Sequence, residues 1–261
     1  MVDVNSYLTK LANHLVIDPD LKNRIEISIS HLKQNIWGLF QDRLLEVNVF
    51  GSFDRETFVS YDANADVDII IVFKQKEFQP ETYLKQIRTF CEKNYSRSDI
   101  YPDHPTIVIE MEHIKFEIIP SWNYSNETVK IPAPRTKELK WIATSPKGFK
   151  NKLILKDKNN KGNIIPLIRI IKYWNSLNEN PFTSYELERF IVEKSYSCLN
   201  LKDYYITVSK SFEEIGKTAE QKKLIINIKE KIRRLKVLEN YNIPEYLEQE
   251  LSSFLPLPKK K

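Results

Sequence analysis

Residues 49–73 read VFGSFDRETFVSYDANADVDIIIVF, and this stretch decides the fold. It opens as a strand, breaks at Gly51-Ser52, runs through a polar segment and returns to extended chain at Ala63–Val67. Asp68–Phe73 is then a continuous apolar run rich in β-branched residues, the mark of a buried central strand. Asp66 and Asp68 are two apart, so on a strand both side chains share one face while Val67 and Ile69 take the other. A later strand, Ile114–Pro120, carries Glu117 in the run KFEIIP, with Phe116 and Ile118 facing away from it. If the two strands are neighbours, three carboxylates meet at one end of the sheet. Half-buried acids side by side repel one another unless a cation neutralises them. Three hard oxygen ligands suit Mg²⁺, or a pair of such ions ~4 Å apart.

Outward from this stretch, Val4–Val16 and a long run from Asp18-Pro19-Asp20 to about Arg43 place apolar residues at helical spacing. The second helix should cross the back of the sheet and lead into a strand at Glu46–Phe50. Residues 80–95 predict a helix opening at Pro80. Thr106–Met111 and Ile114–Ile119 predict a hairpin, with Pro102 and Pro105 bracketing a loop before it and Val129–Pro132 as a further short strand. Beyond Gly162 the pattern is helical: Ile164–Leu177, Thr183–Leu199 with a cap at Thr183 or Ser184, then 203–218, 219–238 and 244–254. The order predicts an α+β class. An α+β lobe with a small mixed sheet would span 1–160 and a helical lobe 161–255. Residues 256–261, ending PKKK, read as a disordered basic tail.

The chain has 261 residues, enough for two packed lobes. Its formal charge of +5 suits a polyanionic ligand such as a nucleotide without requiring a nucleic-acid groove. Cys91 and Cys198 have no CxxC spacing, which argues against a disulfide framework or zinc. The start, MVDVNSYLTK, has no apolar leader, and no run approaches the ~20 residues that span a bilayer, so a cytoplasmic protein is expected.

A strand ending in Gly-Ser and entering a helical turn exposes backbone N–H groups that hold phosphate oxygens, and Gly permits their close approach. Gly51-Ser52, Thr57 five residues on, Asp66-Val67-Asp68 and the later Glu117 together resemble the DNA polymerase β-like nucleotidyltransferase superfamily. The similarity is nearest to its oligoadenylate synthetase and cyclic GMP-AMP synthase branch, which includes the bacterial CD-NTases with their SMODS domain. Ile168–Asn175, IRIIKYWN, and Thr183–Glu188, TSYELE, resemble that branch's lysine helix and its later Ser-Tyr pair. The resemblance implies that Lys172 and Ser184 hold a triphosphate and that Tyr185 stacks on a base. It implies two ions, Mg²⁺ or Mn²⁺, on Asp66, Asp68 and Glu117. Glu117 stands where the family usually carries Asp.

The implied function is synthesis of a cyclic di- or oligonucleotide messenger from NTPs in antiphage defence, under a regulatory protein or RNA ligand. No membrane association is expected, and nothing marks the chain as an oligomer. Two readings compete. One is template-independent RNA extension, as in CCA-adding or poly(A) enzymes, which share the acids and a segment like His104-Pro105. The other is a catalytically silent nucleotide or nucleic-acid sensor. His113, Arg55 and Lys150 are weaker candidates for substrate contact, and Trp122 and Trp141 read as packing residues.

Overall fold

The computed structural model describes residues 3–103, 105–125, 128–133 and 140–259. The expected α+β class is what the chain forms. By packing it divides into two compact units: residues 18–56 with 64–151, and residues 1–17 with 57–63 and 152–261. This differs from the expected cut near residue 160. The first helix and the short segment 57–63 pack with the helical residues, because their apolar and hydrogen-bonding partners lie there.

The first unit is built on seven described strands: β1 (Leu44–Phe50), β2 (Asp66–Phe73), β3 (Asp99–Asp103), β4 (Thr106–Glu110), β5 (Lys115–Asn123), β6 (Val129–Pro132) and β7 (Trp141–Thr144). The main order is β1-β2-β5-β4-β3, and β6 joins β5 to β7. β2 and β5 run parallel, while the other pairs are antiparallel. The sheet is therefore mixed, and its parallel pair is the one that carries the acids.

Helices α2 (Pro19–Phe40) and α4 (Pro80–Asn94) cover one face. Asp18 caps α2, its side chain accepting from the N–H groups of Asp20 and Leu21, with Pro19 in the first turn. Val67, Ile69, Ile71 and Phe73 are all fully buried. Phe73 packs edge-on against Phe40 at 5.2 Å and against Tyr83 at 4.4 Å between ring centroids. Asp66, Asp68, Ile70 and Val72 take the opposite face, where Phe50, Val129 and Ile131 pack against Ile70, Val72 and Ile119. Trp122, Trp141 and Tyr83 form an edge-to-face cluster, a packing role.

Two strands escape the sequence pattern. Asp99–Asp103 is β3, running into the loop expected between Pro102 and Pro105. Its Pro102 is tolerated because β3 is the last strand in the order, and an edge strand can lack one ladder donor. β7 is only four residues long and pairs with β6 alone.

In the second unit, α1 (Val4–His14), α6 (Ile164–Ser176), α7 (Ser184–Glu193), α8 (Leu201–Lys210), α9 (Ala219–Asn240) and α10 (Pro244–Phe254) pack together. The one-turn helix α3 (Gly51–Asp54) belongs to the sheet unit, and α5 (Pro146–Asn159) runs from one unit into the other along the chain. Thr183 is the cap of α7, accepting from Glu186 N–H at 3.2 Å. The helix is shorter than expected and ends at Glu193. The next helix begins earlier, at Leu201, because Asn200 caps it. Thr218 and Gln221 form a reciprocal capping box on α9. At the far end, Leu255 is fully buried and its carbonyl accepts from the Tyr7 hydroxyl at 2.8 Å. Residues 260–261 of the basic tail lie outside the described residues.

Candidate active site

The parallel register places Asp68 directly opposite Glu117, and Asp66 opposite Lys115. Since side chains repeat every second residue, Asp66, Asp68, Lys115 and Glu117 share one face. The three acids predicted to meet at a sheet end are thus brought onto two adjacent strands. Lys115 Nζ lies 3.6 Å from Glu117 Oε1 and 4.0 Å from Asp66 Oδ2. Burial first, and the Asp66 charge second, push the Glu117 carboxyl up to about 7. Asp66 and Glu117 together raise Lys115 against the opposing pull of burial.

Asp68 is tied to the turn before it. Gly51 has φ +70°, and a Cβ built there would fall 1.6 Å from Asp68 Oδ2. Two requirements therefore select glycine: a left-handed backbone and the space that the carboxylate fills. Gly51 opens α3, and Arg55 N–H closes the turn onto its carbonyl at 3.2 Å. Ser52 is half-buried on the same turn.

Among the described residues, no three His, Cys, Asp or Glu side chains converge closely enough to hold a metal ion as they stand. The donor set nevertheless fits a hard divalent cation: three carboxylates on one face, two of them in direct register, and one whose proton affinity is raised by burial and by its acidic neighbour.

Further along the same face, from Ile70 onward on β2, lies a cavity of about 370 Å³ whose lining does not include the three acids. Phe50, Ile70 and Val72 contribute apolar lining, and Asn48, Asn123 and Lys147 contribute polar groups. Lys147 reaches Glu46 at 3.0 Å, and Lys150 reaches Asp54 at 2.7 Å. Arg55 lies over the Phe149 ring at 5.3 Å. Arg55 and Lys150, weak candidates from the sequence, thus hold α5 to the β1–α3 corner. His113 meets Ser28 at 3.1 Å, a packing contact with α2. His104 lies outside the described residues.

The other predicted residues sit in the helical unit. Lys172 on α6 is only 5% exposed, and its ammonium donates to the Thr57 carbonyl at 3.0 Å and to Glu188 Oε1 at 3.4 Å. Thr57 Oγ1 donates to the same Glu188 oxygen at 2.7 Å. Glu188 and Thr57 are fully buried. Sequence reasoning noticed Thr57 and Lys172 separately and missed Glu188, whose position four after Ser184 on α7 was the available signal. Ser184 is half-buried at the start of α7, and the Tyr185 side chain is exposed.

Residues 2–159 match the family described as the Second Messenger Oligonucleotide or Dinucleotide Synthetase domain, SMODS. Among curated protein sequences none matches this chain. Several solved structures share its fold. The CD-NTase CdnG of Bradyrhizobium diazoefficiens, solved in complex with GTP, aligns at 12% identity over 95% of this chain and 94% of that one, with a TM-score of 0.75. CdnC of E. coli MS115-1, solved with a HORMA protein, aligns at 12% identity over 98% and 97%, with a TM-score of 0.72. The cyclic AMP-GMP synthase DncV of Vibrio cholerae, solved with a linear pppA(3′,5′)pG intermediate, aligns at 10% identity over 82% and 70%, with a TM-score of 0.68. At such identities the likeness establishes the fold.

Proposed function

The chain belongs to the SMODS family of nucleotidyltransferases, and from that premise we propose that it makes a cyclic di- or oligonucleotide messenger from NTPs in antiphage signalling. The observation that carries the reading is the direct register of Asp68 and Glu117 on parallel strands, with Asp66 on the same face and Gly51 packed under Asp68.

Asp66, Asp68 and Glu117 would hold Mg²⁺ or Mn²⁺, as two ions. When bound, these ions supply positive charge at the reacting phosphate and at the attacking ribose hydroxyl. The chain's own residues then do the positioning. Gly51 and Ser52 present their turn to phosphate oxygens. Glu117, with a raised proton affinity, stands ready to take the hydroxyl proton. Phe50, Ile70 and Val72 offer apolar surface for a base further along the same face as the acids. Ser184 at a capped helix start and the exposed ring of Tyr185 supply a phosphate donor and a stacking face. The phosphate role implied for Lys172 requires its ammonium to leave Glu188, and in this structure that residue orders Thr57 instead. GTP and a HORMA protein accompany two of the similar structures. NTP substrates and a regulatory protein partner are the corresponding proposals for this chain.

The test is incubation with labelled NTPs and Mg²⁺ or Mn²⁺, with and without tRNA. A phosphatase-resistant small product is the expected result. Extension of the RNA would support the template-independent reading, and nucleotide binding without turnover would support a sensor.

A further inference from the structure

The sheet sets charges in rungs. Asp66, Lys115, Glu110 and Asp99 are successive register partners across β2, β5, β4 and β3. The next rung on the same face contains Asp68, Glu117, Val108 and Tyr101. Lys115 therefore stands among carboxylates on three sides: Asp66 on the strand beside it, Glu117 two residues along its own strand, and Glu110 on the other neighbour. The Tyr101 hydroxyl donates to Glu110 Oε2 at 3.1 Å, which gives Glu110 a partner of its own. The ammonium is directed to the other two acids, at 3.6 and 4.0 Å.

We propose that Lys115 is an internal counter-ion that holds Asp66 and Glu117 together before a divalent cation binds, and that it sets how tightly the cation is then held. The inference rests on the proposed reading of Asp66 and Glu117 as metal ligands. One ammonium among three carboxylates leaves the group with an excess of acid, and removing the ammonium enlarges that excess. A divalent ion entering the group must displace the ammonium or share the acids with it. In both cases the lysine weakens binding while supplying attraction that keeps the empty site compact. The half-buried setting matters, because screening by solvent would erase such an effect on an open surface.

Mn²⁺ binding is measured by titration calorimetry and by Mn²⁺ paramagnetic resonance on the full chain, for the wild type, Lys115→Met, Lys115→Arg and Asp66→Asn. Thermal unfolding is followed in parallel, in chelator and in excess Mn²⁺. Lys115→Met should bind Mn²⁺ about three- to tenfold more tightly, the scale of one nearby charge in a partly wet site. It should also unfold at a lower temperature than the wild type in chelator, and Mn²⁺ should close that gap. Lys115→Arg, which keeps the charge, should stay near the wild type in both measurements. Unchanged or weaker Mn²⁺ affinity in Lys115→Met, with wild-type binding that Asp66→Asn abolishes, overturns the counter-ion role and leaves the metal site standing. Wild-type binding that Asp66→Asn does not affect, or no binding at all, overturns the metal reading itself.

Discussion

Two lysine–carboxylate groups, one in each unit, show what burial does to the same chemistry. Lys115 with Asp66 and Glu117 lies half-buried on a sheet face, with more acid than base. Lys172 with Glu188 is sealed, at 5% and 0% exposure, with one charge of each sign and a threonine hydroxyl and carbonyl completing the hydrogen bonds. The closed group is balanced and serves to fix a loop. The open group is unbalanced, and that imbalance suits the cation-binding role proposed for it. A buried pair holds its geometry because every alternative leaves a charge unsolvated. An exposed excess of carboxylate costs less and remains available to a ligand.

The contrast can be broken from either side. Asp66→Ala with Asp68→Ala should reduce product formation by about a thousandfold or more, roughly 4 kcal/mol of barrier, in the labelled-NTP assay with the fold retained by circular dichroism. Intact turnover would show that these acids are not the reactive group. Glu188→Ala should cost about 3–5 kcal/mol in denaturant unfolding, because it strands the Lys172 ammonium in the interior. Pairing it with Lys172→Met should recover much of the loss, and a large residual deficit would argue that Thr57 needs the ions themselves.

A smaller effect should appear in pH. The folded protein holds a proton on Glu117 up to about pH 7, while the unfolded chain releases it near 4.5. In that window the native state binds more protons, so the metal-free protein should lose stability as pH rises from about 4.5 through 7. Glu117→Gln should flatten that slope in thermal melts taken in chelator. Smallest is Thr183→Ala, which removes the α7 cap and should cost about 1 kcal/mol in denaturant unfolding, with little change at the acids.

The sheet half was open to reading because its signals are local. Alternation fixes the shared face of Asp66 and Asp68, and the run KFEIIP fixes the face of Glu117. The glycine before Ser52 is explained by a positive φ that no other residue adopts as cheaply. Lys115 was invisible as a partner because its role depends on which residue of β2 stands across from it, and register between strands far apart in the chain is not written in either strand alone. β3 was hidden by Pro102 and by the exposed Asp99, Tyr101 and Asp103 at an edge, where the apolar pattern of a buried strand is not needed. Glu188 lies 131 residues from Thr57, so only the packed helices reveal that the loop after the Gly-Ser turn ends on a buried acid. The same contacts tie Thr57, in segment 57–63, to the helical unit although its neighbours in sequence belong to the sheet.

The contact between Gly51 and Asp68 makes the acid a piece of packing as well as a charge. Its carboxylate fills the volume that a methyl group would need on the facing turn. The two positions therefore behave as a single mechanical part, a peg and its socket 17 residues apart in sequence. Shortening the peg by Asp68→Ala frees room at the socket, so Gly51→Ala should do less damage in that background than alone, leaving chiefly the cost of its positive φ. A charge-preserving change such as Asp68→Glu lengthens the peg instead. It should disturb the turn that presents Ser52 while leaving the number of carboxylates unchanged, separating the shape of the site from its charge.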